Sequence, residues 1–153
     1  MKLLIKKLKE NAILPKRATE QSAGYDLSAC LDKPLTVKSG ETVKIPTGLS
    51  AEVQGEDKCV LLIFARSSLA TKFGLAPANC VGVVDTDYRG EILVAMHNHS
   101  DKDYTVMPGE RVAQLIITPI FTPEVLQVEE LSDTERGAGG FGSTNKTDRR
   151  PDL

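Results

Sequence analysis

The chain has 153 residues, with 19 Lys or Arg against 21 Asp or Glu and a net charge of −2. That length suits one domain able to bury about 68–70% of its unfolded surface. The charge balance lacks the basic excess of nucleic-acid modules, so any anion must be gripped locally rather than by a broad field.

At the start, Lys6, Lys7, Lys9 and Glu10 break up the apolar stretch that a secretion signal needs. Neither export nor a membrane span is expected. Cys30, Cys59 and Cys80 are odd in number and widely spaced, without a Cys-x-x-Cys pair. They read as free thiols in a reducing cytoplasm, not as a disulfide framework or zinc knuckle. Strand-like runs then recur at 42–45, 49–53, 59–65, 80–85, 92–97, 104–107, 111–120 and 124–128, separated by Ser-Gly, Gly-Glu-Asp, Arg-Gly and Pro-Gly turn signals. This spacing predicts an all-β sandwich or barrel. The segment Val37-Lys-Ser-Gly40-Glu41-Thr-Val43 echoes Val106-Met-Pro-Gly109-Glu110-Arg-Val112, which predicts one turn chemistry used twice. A single short helix is expected at 67–73, with serine as N-cap and Gly74 as its stop. Arg66 and Ser67 would then stand at a helix N-terminus, where free N–H groups favour phosphate.

The stretch from Asn79 to Glu91 runs from β-branched residues into a turn bearing Asp85, Asp87, Tyr88 and Arg89. It predicts a hairpin with Asp85 at the end of its first strand, held firmly yet reachable. Asp85 and Asp87 alone would read as turn formers. After residue 131 the chain becomes glycine-rich and predicts an arm at 132–145, followed by a charged extension at 146–153. Gly137-Ala-Gly139-Gly-Phe-Gly142 matches G-x-G-x-x-G literally, but neither a following helix nor a downstream acid accompanies it, so a dinucleotide fold is rejected. Phe141 is the arm's single aromatic, a ring able to close over a base. His97 and His99 share a strand face, but without a third ligand they read as structural or surface residues.

Five segments in order resemble the motifs of the trimeric dUTP diphosphatases (dUTPases): Ala23-Gly24-Tyr25-Asp26-Leu27, Ala65-Arg66-Ser67-Ser68-Leu69, Gly82 through Glu91, Gly109-Glu110-Arg111-Val112-Ala113-Gln114-Leu115, and Arg136 through Thr144. The resemblance covers nearly the whole chain. It implies a jelly-roll β-barrel with a glycine-rich C-terminal arm, a homotrimer with shared active sites, and hydrolysis of dUTP to dUMP and pyrophosphate with Mg2+. Such an enzyme limits uracil incorporation into DNA and supplies dUMP for dTMP synthesis. Carried over, Asp85 is the general base. Tyr88 packs on deoxyribose, and Asn79 with the backbone of Val83 and Val84 reads uracil beside Leu93. Arg66, Ser67, Ser68 and Gln114 line the phosphate channel. Arg136, Phe141, Gly142, Ser143 and Thr144 form the closing arm, and Asp26 reaches Mg2+ through water. Asp87 is left as a turn and ion-pair residue. No nucleic-acid or membrane partner is implied.

The chain also departs from the family pattern at Ala65, Ser68 and Asn145, where proline, glycine and glycine are common. The Arg-Ser-Ser version is shared with dCTP deaminases. Those enzymes carry a glutamate where alignment places Ala95, which argues against deamination. A binding or regulatory jelly roll that merely keeps a nucleotide pocket is the other alternative; the presence of Asp85 and of the arm favours catalysis over it.

Overall fold

The computed structural model describes residues 1–55 and 58–140. Among the described residues, eleven strands and one helix lie within a compact unit, Met1–Thr122. In order these are β1 (Lys2–Lys7), β2 (Tyr25–Ser28), β3 (Leu35–Val37), β4 (Thr42–Pro46), β5 (Leu49–Gln54), β6 (Cys59–Ala65), α1 (Ser67–Phe73), β7 (Leu75–Pro77), β8 (Gly82–Val84), β9 (Leu93–Asn98), β10 (Tyr104–Val106) and β11 (Arg111–Pro119).

All pairings are antiparallel and most join strands distant in sequence. β2 pairs β11, β3 pairs β10 and β4 pairs β9, so the chain folds back along itself as one long nested ribbon. That nesting is the jelly-roll arrangement expected from the sequence. The ladders form four sheets rather than one continuous closed barrel, ordered β2-β11-β6-β8, β4-β9-β7, β1-β5 and β3-β10. Between them Leu27, Ile45, Leu49, Leu75, Met96 and Leu115 have no solvent exposure and form the core.

The repeated turn is realised twice. Gly40 and Gly109 both take positive φ (72° and 76°), as position i+2 of a type II turn demands. In each, the glutamate that follows accepts the N–H three residues back: Lys38 N–H to Glu41 at 3.0 Å and Met107 N–H to Glu110 at 2.9 Å.

Several expectations are corrected. No strand forms at 124–128; Val125 and Leu126 are 94% and 71% exposed, and the segment has no ladder partner among the described residues. Strand β1 was hidden by its lysines, yet Lys2, Leu4 and Lys6 alternate with half-buried Leu3 and Ile5 as a one-sided edge strand. Ser67 is not the N-cap of α1. Arg66 occupies that position with extended backbone and no side-chain capping bond, so the serine is the first helical residue. Gly74 does end the helix, at φ 68°.

Asn98 is fully buried and fully satisfied. Its amide donates to the carbonyls of Val37 (3.0 Å) and Lys102 (2.7 Å), and its oxygen accepts from the backbone and hydroxyl of Ser100 (3.0 and 2.8 Å). Truncation to Ala strands several of these groups, and Asn98→Ala is expected to lose about 2–4 kcal/mol. Urea denaturation should show a lower midpoint at unchanged slope; an unchanged midpoint contradicts this role.

Tyr104 donates to Glu110 at 2.5 Å, and burial first, then that bond and the carboxylate charge, push its hydroxyl up to about 12 from 10.0. A folded value above the unfolded one means the contribution is complete below pH 10 and disappears as pH rises towards 12. The alkaline limb of the stability curve should therefore flatten in Tyr104→Phe, and an identical limb in both proteins contradicts the assignment.

Candidate active site

The site residues within Met1–Thr122, Asn79 apart, fall into two cavities that share no lining residue. The first, of about 230 Å3, is lined by Val83, Val84, Asp85, Tyr88, Glu91, Ile92 and Leu93. The second, of about 500 Å3, is lined by Ala18, Ser22, Ala23, Gly24, Asp26, Arg66, Ser67, Ser68 and Gln114.

The expected hairpin is not a hairpin. β8 pairs β6, whereas β9 pairs β4 and β7, so residues 85–92 cross from one sheet to another. Four bonds to the 47–50 corner pin that crossing, one of them the Ile92 N–H donating to Leu49 O at 2.8 Å. Ser50 Oγ donates to Arg89 O (2.8 Å), Gly48 N–H to Glu91 (2.7 Å) and Thr47 Oγ1 to Ile92 O (2.7 Å). Asp85 leaves the end of β8 exposed to solvent, and its carbonyl accepts the N–H of Tyr88 at 3.1 Å. The Tyr88 hydroxyl turns back to Glu91 O at 3.1 Å and lies so close to Gly90 that a Cβ there would meet it at 2.3 Å. Glycine at 90 therefore lets the ring lie across the loop.

Val83, Tyr88 and Leu93 are 65%, 47% and 45% exposed around this cavity, an apolar platform open to a flat ring. β8 is the last strand of its sheet, so one edge of the Val83 and Val84 backbone has no ladder partner among the described residues. Asn79 is exposed near the start of this segment and lines neither cavity. Asp87 sits in the turn as expected, but among the described residues it makes no ion pair.

In the second cavity Asp26 holds two arginines. Arg66 Nε donates to one of its oxygens at 3.0 Å and Arg111 Nη1 to the other at 2.9 Å. The pattern of charges joins β2, β6 and β11, which lie side by side in one sheet. Arg111 escaped sequence reasoning as a partner, although it stands in the segment that contains Gln114. Gln114 donates to Ala65 O at 2.9 Å and rests over Gly24, where a Cβ would approach its amide oxygen to 2.7 Å. Ser67 and Ser68, in the first turn of α1, have N–H groups without intrahelical carbonyls, and both line the cavity.

Described residues 123–140 belong to a separate unit. There the Arg136 guanidinium donates to Gly139 O at 2.8 Å within a turn that Gly137 enters at φ 52°. Phe141, Gly142, Ser143 and Thr144 lie outside the described residues.

The family model for dUTPase matches residues 10–145, spanning both cavities and the 132–145 segment. The chain belongs to the dUTPase family. A deoxyuridine 5'-triphosphate nucleotidohydrolase of Desulfitobacterium hafniense is 50% identical over 131 residues, 86% of each chain. One from Nautilia profundicola is 47% identical over 146 residues, 95% of this chain and all of that one. Among solved structures, the dUTPase of Staphylococcus bacteriophage 80alpha with dUPNHPP superposes with a TM-score of 0.83 at 30% identity, covering 93% of this chain and 97% of that chain. The jelly-roll-like dUTPase fold is thus shared along with the sequence.

Proposed function

We propose that this chain hydrolyses dUTP to dUMP and pyrophosphate, with Asp85 activating the water that attacks the α-phosphorus. The observation that carries this reading is the pair of cavities: one exposes an apolar platform beside a carboxylate, and the other gathers Arg66, two serines and Gln114. The first suits a base and sugar with a general base at hand. The second suits an anion, with a guanidinium fork and unpartnered N–H donors.

Uracil lies on the open edge of β8, with Asn79 and the Val83 and Val84 backbone meeting its polar edge and Leu93 packing beside it. Cytosine inverts the donor and acceptor pattern there, which leaves polar groups unpaired and discriminates strongly. Tyr88 fills the space that a 2′-hydroxyl needs. Asp85 accepts the proton of the attacking water as the pyrophosphate leaves in line.

Strand geometry supports a site built from more than one subunit. Val84 lies opposite Leu61 and Gly82 opposite Ile63, so Asp85 emerges beside the Val60 end of β6 while Arg66 follows its other end. Six residues of strand separate those ends, about 20 Å. An arginine side chain reaching back over that distance still falls short of a triphosphate being attacked beside Asp85. We therefore assign Asp85, Tyr88 and Asn79 to one subunit and Arg66, Ser67, Ser68 and Gln114 to another within a homotrimer. Residues 132–145 serve as the arm, bringing Arg136, Phe141, Gly142, Ser143 and Thr144 over the bound nucleotide. The barrel domain then runs to residue 131, and 146–153 form a charged extension.

Mg2+ fits the donor set only as an ion carried by the substrate. Among the described residues no three His, Cys, Asp or Glu side chains cluster to enclose a metal. Each Asp26 oxygen accepts one guanidinium bond and keeps a lone pair, so Asp26 would hold the ion through its water shell. Bound there, Mg2+ supplies charge neutralisation along the phosphates. A phage phi11 dUTPase at 25% identity is described as coordinating a structural Mg(II) ion. We place the enzyme in the cytoplasm; among the described residues no helix is long and apolar enough to cross a membrane, and Cys30, Cys59 and Cys80 are free thiols.

Anion-exchange separation of products from dUTP, dCTP, dTTP and UTP tests the proposal. dUMP and pyrophosphate are expected from dUTP alone; turnover of UTP at a similar rate, or deamination of dCTP, would overturn it.

A further inference from the structure

Outside both cavities, the chain's only two histidines stand together. His97 and His99 are two residues apart along an extended segment and so project to one face. Their ring centroids are 4.4 Å apart, in an edge-to-face arrangement at 65°. His97 Nδ1 and Thr42 Oγ1, opposite each other in the β4–β9 ladder, are hydrogen-bonded at 2.8 Å. The backbone beneath is fixed: Asn98 is buried between the two, and the His99 N–H donates to Gly74 O at 2.9 Å. His97 is half-buried and His99 exposed, so the pair is accessible from solvent.

We propose that His97 and His99 form a two-imidazole chelate for a divalent transition ion of tetragonal preference, Cu2+ or Ni2+. The spacing carries the choice. With metal–nitrogen bonds of about 2.0 Å, two imidazoles at a right angle have ring centres about 4.5 Å apart, whereas a tetrahedral angle spreads them beyond about 5 Å. The observed 4.4 Å matches the right-angle case, which square-planar and octahedral ions use. The Thr42 contact supplies what such a ligand needs behind it. When His97 Nδ1–H donates to the threonine hydroxyl, the lone pair resides on Nε2, and that support orients the ring. No third His, Cys, Asp or Glu joins the pair among the described residues, so water completes the coordination.

The test uses the full chain with substoichiometric Cu2+, read by electron paramagnetic resonance and by calorimetric affinity. Two imidazole nitrogens coupled to copper are expected, and with only two histidines in the chain they can come from no other residues. His97→Ala and His99→Ala should each reduce the count to one, and Thr42→Val should weaken binding about tenfold without changing the count. The exposed thiol of Cys80 can also take copper, which makes the nitrogen count the deciding readout. A spectrum with fewer than two nitrogens, or one unchanged in the double histidine variant, overturns the proposal. Nothing in it depends on the reading of the nucleotide site.

Discussion

Asp85→Asn should retain nucleotide binding and lose turnover. The amide keeps the shape and one acceptor but cannot take a proton from water, and removing a general base costs about 10²–10⁴-fold in rate. Binding should survive because the groups assigned to the base, sugar and phosphates are all other residues. Folding should survive too, since Asp85 is exposed and what it gives the loop is its backbone carbonyl, which accepts the Tyr88 N–H at 3.1 Å. The clean measurement is kcat for dUTP beside calorimetric affinity for dUpNHpp. A kcat near that of the parent removes Asp85 as the base; lost affinity with normal kcat makes it a binding group instead.

Arg66→Ala is expected to lower kcat/KM about 100-fold or more, as removal of one preorganised donor to a developing charge does. Arg66→Lys should recover little, because a single ammonium cannot reproduce a fork that grips Asp26 through Nε while presenting its remaining N–H groups to phosphate. Stability should change little, since Arg111 still pairs with Asp26 at 2.9 Å after the truncation. A melting temperature that falls together with activity would show Arg66 to be a structural member of the sheet rather than a phosphate ligand.

How far the chain could be read without coordinates depended on the range of the interactions involved. The 59–65 run was legible to the residue because seven apolar or small residues between turn signals suffice for a buried strand, as β6 is. The duplicated turn was legible because glycine and glutamate at fixed offsets create it locally. By contrast, the supposed hairpin around Asp85 failed because pairing is a long-range choice: β8 takes β6 and β9 takes β4 and β7, which no local pattern announces. The run at 124–128 has strand composition but no ladder partner among the described residues. At the site, the resemblance to the dUTPase motifs identified Asp26, Arg66 and Gln114, yet only the side-by-side placement of β2, β6 and β11 reveals that Arg111 shares Asp26 with Arg66. Nor could spacing along the chain disclose that Asp85 and Arg66 stand near opposite ends of β6.

That separation makes the division of the active site between subunits directly testable. Asp85→Asn and Arg66→Ala chains, each nearly inactive alone, would be coexpressed with different affinity tags and the doubly tagged assemblies isolated. If Asp85 and Arg66 of one site come from different subunits, every trimer that contains both chains has one of its three sites with both native residues, and activity returns to about a third of the unmutated level. Assemblies that contain both chains and remain as inactive as their parents would place Asp85 and Arg66 of each site on the same chain and contradict the shared site.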